Sequence, residues 1–284
     1  DYKRTKSKKL ISILEKEITF RFLKARKKDG FLNVISIFSF IGISLGVAVL
    51  IIVMSVMNGF RTELINKIVG FNSHITIQTY SEQFDMSKLK NKTLELISKN
   101  ILLSNSGEAV ILKDKKSKGI VLRGYLSDKF SNLEIIKNKK FKGNKSKLKR
   151  DHISIGNELS FALDLQIGDE ITIMSPSGID TIIGSMPKQK TFIITSIFNS
   201  GLVEFDNNIA FINLNTLEDF FDFKKSKRKR EIYLKNPINI EAQKFKVQEI
   251  FQDDYVYTWA DMNSSLFSAL KVERNVMFII LSLI

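Results

Sequence analysis

The sequence predicts a membrane protein in which transmembrane helices carry an α+β domain, and three observations predict it. Phe31 to Phe60 is an uncharged run of thirty residues, "FLNVISIFSFIGISLGVAVLIIVMSVMNGF". From His74 onward the pattern changes to short alternating strands broken by short helices and glycine turns. The chain then closes on a second apolar stretch, Val276 to Ile284. A span needs only ~20 apolar residues, and a soluble helix of such length normally keeps a polar face. A cleaved signal peptide has an apolar core of only ~7 to 15 residues followed by a small-residue cleavage site, and this run shows neither.

Residues 1–30 carry eleven Lys/Arg against four Asp/Glu, with Ile11, Leu14, Ile18 and Phe22 at helical spacing. This reads as an amphipathic helix lying on the inner membrane face. Arg21, Lys24, Arg26, Lys27 and Lys28 precede the span over 31–60, whereas only Arg61 and Lys67 follow closely, which predicts a cytoplasmic N-terminus and an outer domain across the membrane. Phe60, Leu64 and Ile68, flanked by Ile65 and Val69, continue a helical stripe, so residues 61–73 are expected to leave the bilayer as a stalk.

The outer domain is expected over 74–262. Strands are read at 74–80, 119–125, 152–156, 170–175, 191–198, 208–215, 230–236 and 255–259, and helices at 86–99, 157–165, 217–221 and 240–251. Residues 263–284 return to helix as a second stalk and the start of a second span, in a chain expected to continue beyond Ile284.

Composition bounds the chemistry. The 284 residues are 44% hydrophobic, enough for a substantial core. There is no cysteine, so disulfides and thiolate metal sites are excluded, and His74 and His152 offer no ligand spacing. No catalytic set or metal site is expected. A net charge of +14 fits nucleic acid, an anionic membrane or an acidic partner equally well. The basic runs 137–150, whose single aromatic is Phe141, and "KKSKRKR" at 224–230, which has none, are expected to be solvated surface on the far side from the cytoplasm, with no nucleic-acid role. "GISLG" matches the serine-hydrolase pattern but sits inside an apolar helix; Gly42 and Gly46 also form G-x-x-x-G, which lets membrane helices approach closely. No Walker phosphate loop occurs.

One stretch stands apart: "SPSGIDTIIGSMPKQKTF", Ser175 to Phe192, holds two of the three prolines. Sixteen residues separate two strands that a hairpin would join with about two to five, so this is expected to be a functional loop. Pro176 and Pro187 stiffen its shoulders, and Ile179, Ile182, Ile183 and Met186 offer apolar side chains to a partner.

Together "GISLGVAVLIIVMSVMNGF", "IGNELSFALDLQIGDEI" and "NSSLFSALKVERNVMFIILSLI" resemble the LolC/LolE family, the transmembrane subunits of lipoprotein-releasing ABC transporters in the MacB/FtsX-type permease superfamily. The resemblance implies a four-span permease of the bacterial inner membrane with a MacB-like periplasmic domain. It implies no enzymatic activity in this chain, with ATP and Mg bound by a separate LolD-type ATPase. The implied partners are a second LolC/LolE-type subunit, paralogue or self, triacylated lipoproteins, membrane lipid and the periplasmic chaperone LolA. A chaperone-binding loop called the Hook is implied at 175–190, through Pro176, Ile183, Met186, Pro187, Gln189 and Lys190; the family places an Arg where Lys190 stands, and the loop is one residue shorter here. Val53, Met57 and Phe60 correspond to the family's lipoprotein cavity. Two alternatives stay open: a MacB-like or FtsX-like permease that transmits mechanical motion, and a two-span sensor with a ligand-binding outer domain.

Overall fold

The computed structural model describes residues 13–23, 30–80, 84–137, 139–181, 184–237 and 240–283. It divides into two compact units, residues 62–267 and a membrane unit of 1–61 with 268–284.

In the membrane unit, α1 (Ile13–Leu23) exposes Leu14 and Ile18. The dominant element is α2 (Gly30–Phe71), 42 residues without a break, or roughly 63 Å at ~1.5 Å per residue. Among the described residues, one helix is long and apolar enough to cross a membrane, and it is this one. The expected division at residue 60 between span and stalk is invisible in the backbone, because nothing between Phe60 and Phe71 interrupts the helical pattern. What changes is burial: Val34 to Leu45 are exposed, whereas Leu64 and Ile65 are half-buried and Ile68 and Phe71 fully so. α2 ends where the Asn72 amide donates to the Ile68 carbonyl at 2.9 Å.

The outer unit begins with β1 (Ile75–Thr79). The helix expected over 86–99 is instead a 3-10 turn, Met86–Lys90, and a short α3 (Lys92–Ile97). Asp85 and Asn91 each accept the amide two residues on, at 2.9 and 2.8 Å, and so start two elements rather than one. Next come β2 (Ser98–Lys113), β3 (Lys116–Tyr125), α4 (Glu134–Lys137), β4 (Lys142–Gly143), β5 (His152–Gly156) and α5 (Asn157–Leu163). They are followed by β6 (Glu170–Thr181), β7 (Gly184–Phe198), α6 (Val203–Asn208), β8 (Ile209–Asn213), α7 (Leu214–Phe221) and β9 (Lys229–Leu234). The unit closes with α8 (Ile240–Ile250), β10 (Asp254–Thr258) and α9 (Trp259–Met262), after which α10 (Ser264–Leu283) passes back into the membrane unit.

The strand pairings close on themselves. β2 pairs β3, β3 pairs β8, β8 pairs β5, β5 pairs β7, β7 pairs β6, and β6 returns to β2 through Val110↔Met174, Ile111↔Ile173 and Leu112↔Thr172. The result is a six-stranded ring with parallel pairings at β3/β8 and β5/β7. Alternate residues point inward to fill it: Ile111, Leu122, Ile153, Ile155, Ile171, Ile173, Phe192, Ile194 and Ile212, capped by Leu217 and Phe220 of α7. Closure leaves few unpaired edges.

The amino-terminal half of β2 extends out of the ring to β9, β1 and β10, an antiparallel sheet whose apolar face is covered by Leu94 of α3, Val247 of α8 and Phe251 just after it. A third core lies where α2 arrives. The Phe71 ring packs 4.6 Å from Phe205 and 5.9 Å from Phe211, and Phe198 lies 4.9 Å from Phe211. Gly156 allows the closest approach here, since an added Cβ would stand 2.0 Å from the Asp206 carbonyl oxygen.

Candidate functional site

The stretch expected to be a loop between two strands is instead the two strands themselves, continued. β6 and β7 stay paired past the ring: Ile173↔Lys190 and Met174↔Gln189, then Gly178↔Pro187, Ile179↔Met186, Asp180↔Ser185 and Thr181↔Gly184. Between these sets the register shifts, so that Ser175, Pro176 and Ser177 bulge opposite Lys188 alone. The prolines misled the reading because a strand interior seldom holds one. Here Pro176 occupies a bulge and Pro187 belongs to a two-stranded ribbon, whose outer edges need no amide donor. β2 supports the ribbon only as far as Met174.

Met186, Pro187, Gln189 and Lys190 line one groove, together with Lys188 and, from α7, Thr216, Asp219 and Phe220. Met186 is 59% exposed, Pro187 and Gln189 are exposed, and Lys190 is half-buried with its ammonium 5.6 Å from the Phe192 ring centroid. An ion pair from Lys188 to Asp222 ties β7 to the end of α7. α7 is placed by its cap, with the Asn215 amide donating to the Asn213 side chain at 3.0 Å, and by burial of Leu214, Leu217 and Phe220. Pro176 faces elsewhere, in a recess beside Val110, Ile120 and Asn208. Ile183, like Ile182, lies outside the described residues. Lys188 and the part α7 plays in the groove went unnoticed in the sequence; the helix was expected over 217–221, and the structure starts it earlier, at Leu214, where the spacing of Leu214, Leu217 and Phe221 was the available signal.

In the membrane unit, Met57 lines a small pocket with Met54, Asn58, Arg61, Leu270, Glu273, Arg274 and Met277. Val53 (39% exposed) and Phe60 (57% exposed) flank that stripe rather than line it. The pocket stripe follows i, i+3, i+4, i+7 from Met54, and the other two residues, seven apart, sit together along one side of it. Gly42 and Gly46 face open space, and no described side chain packs on them.

The basic run 224–230 departs from the expected solvated surface. Lys224 and Lys225 are exposed, but Arg228 makes a two-pronged pair with Glu218 (both contacts 2.7 Å) and Lys227 donates to the Tyr80 carbonyl at 2.9 Å. Arg230 is buried, its guanidinium 3.6 Å from the Phe84 ring centroid. Residues from Lys229 onward are strand, so alternate cations enter the domain and must find partners there.

By likeness to known proteins, this apolar helix and strand-rich domain belong to a class of membrane permeases with a periplasmic domain. The chain belongs to the MacB-like periplasmic core domain family, which matches residues 36–250, and within that superfamily it groups with the LolC/LolE proteins. It is similar to the lipoprotein-releasing system transmembrane protein LolC of Neisseria meningitidis serogroup B, 28% identical over 279 residues, 95% of this chain and 67% of the relative. The LolC of Xylella fastidiosa strain Temecula1 is 26% identical over 276 residues, 94% of this chain and 65% of that protein. The chain thus spans about two thirds of the length of these relatives. Among solved structures, the periplasmic region of MacB from Actinobacillus actinomycetemcomitans matches at a TM-score of 0.43 and 10% identity, over 69% of this chain and 93% of that one.

Proposed function

We propose that this chain is the permease subunit of an ABC transporter that extracts lipoproteins from the outer leaflet of the bacterial inner membrane and hands them to a periplasmic carrier of the LolA type. The observation that carries the reading is the β6–β7 ribbon, which runs beyond the ring and presents Met186, Pro187, Gln189 and Lys190 to one groove. Exposed apolar and cationic groups on a stiff two-stranded ribbon suit a docked protein partner. The sequence likeness to LolC supports the choice of cargo.

The physical need is plain. Bringing a buried acyl CH₂ into water costs ~0.8 kcal/mol, so a triacylated protein cannot leave a bilayer unaided. It requires energy, a sheltered path and a receiver. The likeness to LolC supports placing ATP and its Mg on a separate LolD-type subunit. A second LolC/LolE-type permease faces this one, Met57 contributes to the lipid-facing path between them, and Gly42 and Gly46 give their helices a close-packing stripe. The N-terminus is cytoplasmic and the outer domain periplasmic. α2 continues unbroken from its apolar segment into the Phe71 core, which makes it a rod able to carry ATPase-driven motion to the ribbon.

Charge reversal tests the docking role. Lys190→Asp in the purified full-length complex is expected to abolish co-purification of the LolA-type carrier, a loss of at least about tenfold in affinity, while the thermal midpoint stays unchanged. Undiminished carrier binding by that variant contradicts the ribbon's role.

A further inference from the structure

The sheet β10-β1-β9-β2-β3-β8 has a second face on which a polar cluster lies beside the apolar Val121 and Ile209. Thr76↔Tyr257, Thr76↔Glu231, Ser104↔Lys229 and Ser106↔Arg123 are directly opposed pairs, so their side chains share that face. They floor a cavity of about 230 Å³ in the outer unit. Its rim includes Asn72, just after α2, and Asn263, just before α10.

The charges in this pocket do not cancel. Glu231 is fully engaged: one carboxylate oxygen accepts from the Ser104 hydroxyl at 2.6 Å and Arg123 at 3.3 Å, the other from the Tyr125 and Tyr233 hydroxyls at 2.8 and 3.1 Å. Arg123 in turn donates to Asn72 at 3.1 Å and to the Tyr125 hydroxyl at 2.8 Å. Burial works against its charge, but Tyr125 and Glu231 hold the guanidinium protonated, its pKa above the ordinary value. That pair is neutral as a unit. Lys229 is the surplus. Its half-buried ammonium donates to the Ser106 hydroxyl at 3.2 Å and makes no ion pair among the described residues. Burial lowers its pKa, with Glu231 opposing and Arg123 adding to the effect. A partly desolvated cation walled by hydroxyls and amides is an incomplete electrostatic arrangement, and an anion with several acceptor oxygens completes it.

We propose that this pocket binds a small oxyanion of the phosphate type, held by Lys229 with the Ser106 hydroxyl, the Asn105 amide and the Tyr257 phenol around it. Two sources share this chemistry: free phosphate and the phosphate of a phospholipid headgroup. A carboxylate has fewer acceptor oxygens for the same donors. The site is distinct from the ribbon groove and does not depend on which cargo the transporter carries.

The test uses the full-length chain in detergent and follows thermal unfolding by the fluorescence of Trp259, the single tryptophan. Potassium phosphate is titrated against potassium chloride of matched ionic strength, and dihexanoyl-phosphatidylglycerol is titrated separately as the headgroup probe. A ligand that binds the folded state raises the midpoint with concentration. Wild type is expected to show that rise with at least one probe. Lys229→Met is expected to weaken the effect at least about tenfold, while Lys229→Arg and the exposed control Lys225→Met retain it. Ser106→Ala, which leaves all charges in place, is expected to weaken it more modestly, and reports on the site even if Lys229→Met folds poorly. A response to free phosphate assigns the site to the soluble ion, and a response to the lipid probe alone assigns it to the headgroup. If neither probe shifts the midpoint, or if the shift survives in both Lys229→Met and Ser106→Ala, the proposal is overturned.

Discussion

His74 shows how a single side chain can fasten the domain to its lead from the membrane. It is buried, its Nδ1 accepts the Leu234 amide at 2.8 Å, and its own carbonyl accepts the Trp259 amide at 3.3 Å. Through its ring and its carbonyl this residue, just before β1, is tied to the end of β9 and the start of α9. Burial is the largest influence on the imidazole and lowers its pKa; a hydrogen bond with the Val69 backbone and the field of Glu134 oppose this weakly, and Lys99 adds to it. The sign follows from linkage. A group whose folded pKa lies below its unfolded value of about 6.5 stabilises the fold fully above that value, and the contribution is lost as pH falls through the folded pKa. Unfolding free energy is expected to drop between pH 7 and pH 5 by up to about 1.4 kcal/mol per pH unit. His74→Asn, which keeps an acceptor but cannot titrate, is expected to flatten that slope in urea titrations at a series of pH values. The depressed acids Glu134 and Asp261 act at lower pH and do not mimic it. His74 was visible in the sequence only as one of two histidines without ligand spacing. That its nitrogen accepts an amide 160 residues away is a fact of packing.

Among the elements, α2 and the ribbon carry the functional reading, and they were legible to different degrees. α2 was read almost whole, because thirty uncharged residues and an apolar stripe ending near Ile68 are local signals. The ribbon was located but misassigned. Prolines and glycines at 176, 178, 184 and 187 ordinarily punctuate a loop, and only the pairing of Gly178 with Pro187 across the bulge shows that the strands absorb them. β2 was missed because "SKNILLSNSGEAVILK" mixes polar and small residues without clean alternation. Its alternation is blurred because it serves two sheets, pairing β9 with one half and β6 with the other. The junction of α2 with the domain yields the prediction at this scale. Phe71 is 4% exposed, and Arg123 lies 5.6 Å from its ring centroid. Phe71→Ala is expected to destabilise the outer unit by about 3–5 kcal/mol, read as a lowered urea midpoint. The same change at the exposed Phe60 is expected to shift it by no more than about 0.5 kcal/mol.

At the scale of the whole molecule, the ring of strands explains how a domain of modest core size can hold out a stiff ribbon. β6 and β7 are anchored on both flanks within the ring, by β2 and by β5, before they leave it together. The polar pocket is lined chiefly from β1, β2, β3, β9 and β10 and the ribbon groove from β7 and α7, so the two candidate sites have no lining residue in common. Orientation is the prediction that belongs here. With the basic flank of Arg21 to Lys28 held inside, protease added to intact spheroplasts is expected to cleave within residues 74–262 while the amino-terminal segment survives, and inverted vesicles are expected to give the reverse. Protection of the outer domain in spheroplasts and its cleavage in inverted vesicles contradict the proposed topology.

The sequence by itself determined that the protein carries a membrane-spanning helix, that an α+β domain follows it, and that residues 175–190 are unlike their surroundings, because length, charge and local periodicity are properties of contiguous residues. Only the tertiary structure decided that six strands close into a ring, that the supposed loop is a bulged ribbon, and that Lys229 lines a cavity with no ion-pair partner of its own among the described residues. Each of those depends on which distant strands lie side by side, and the free energy that selects the pairing comes from filling one shared interior, which no single segment contains.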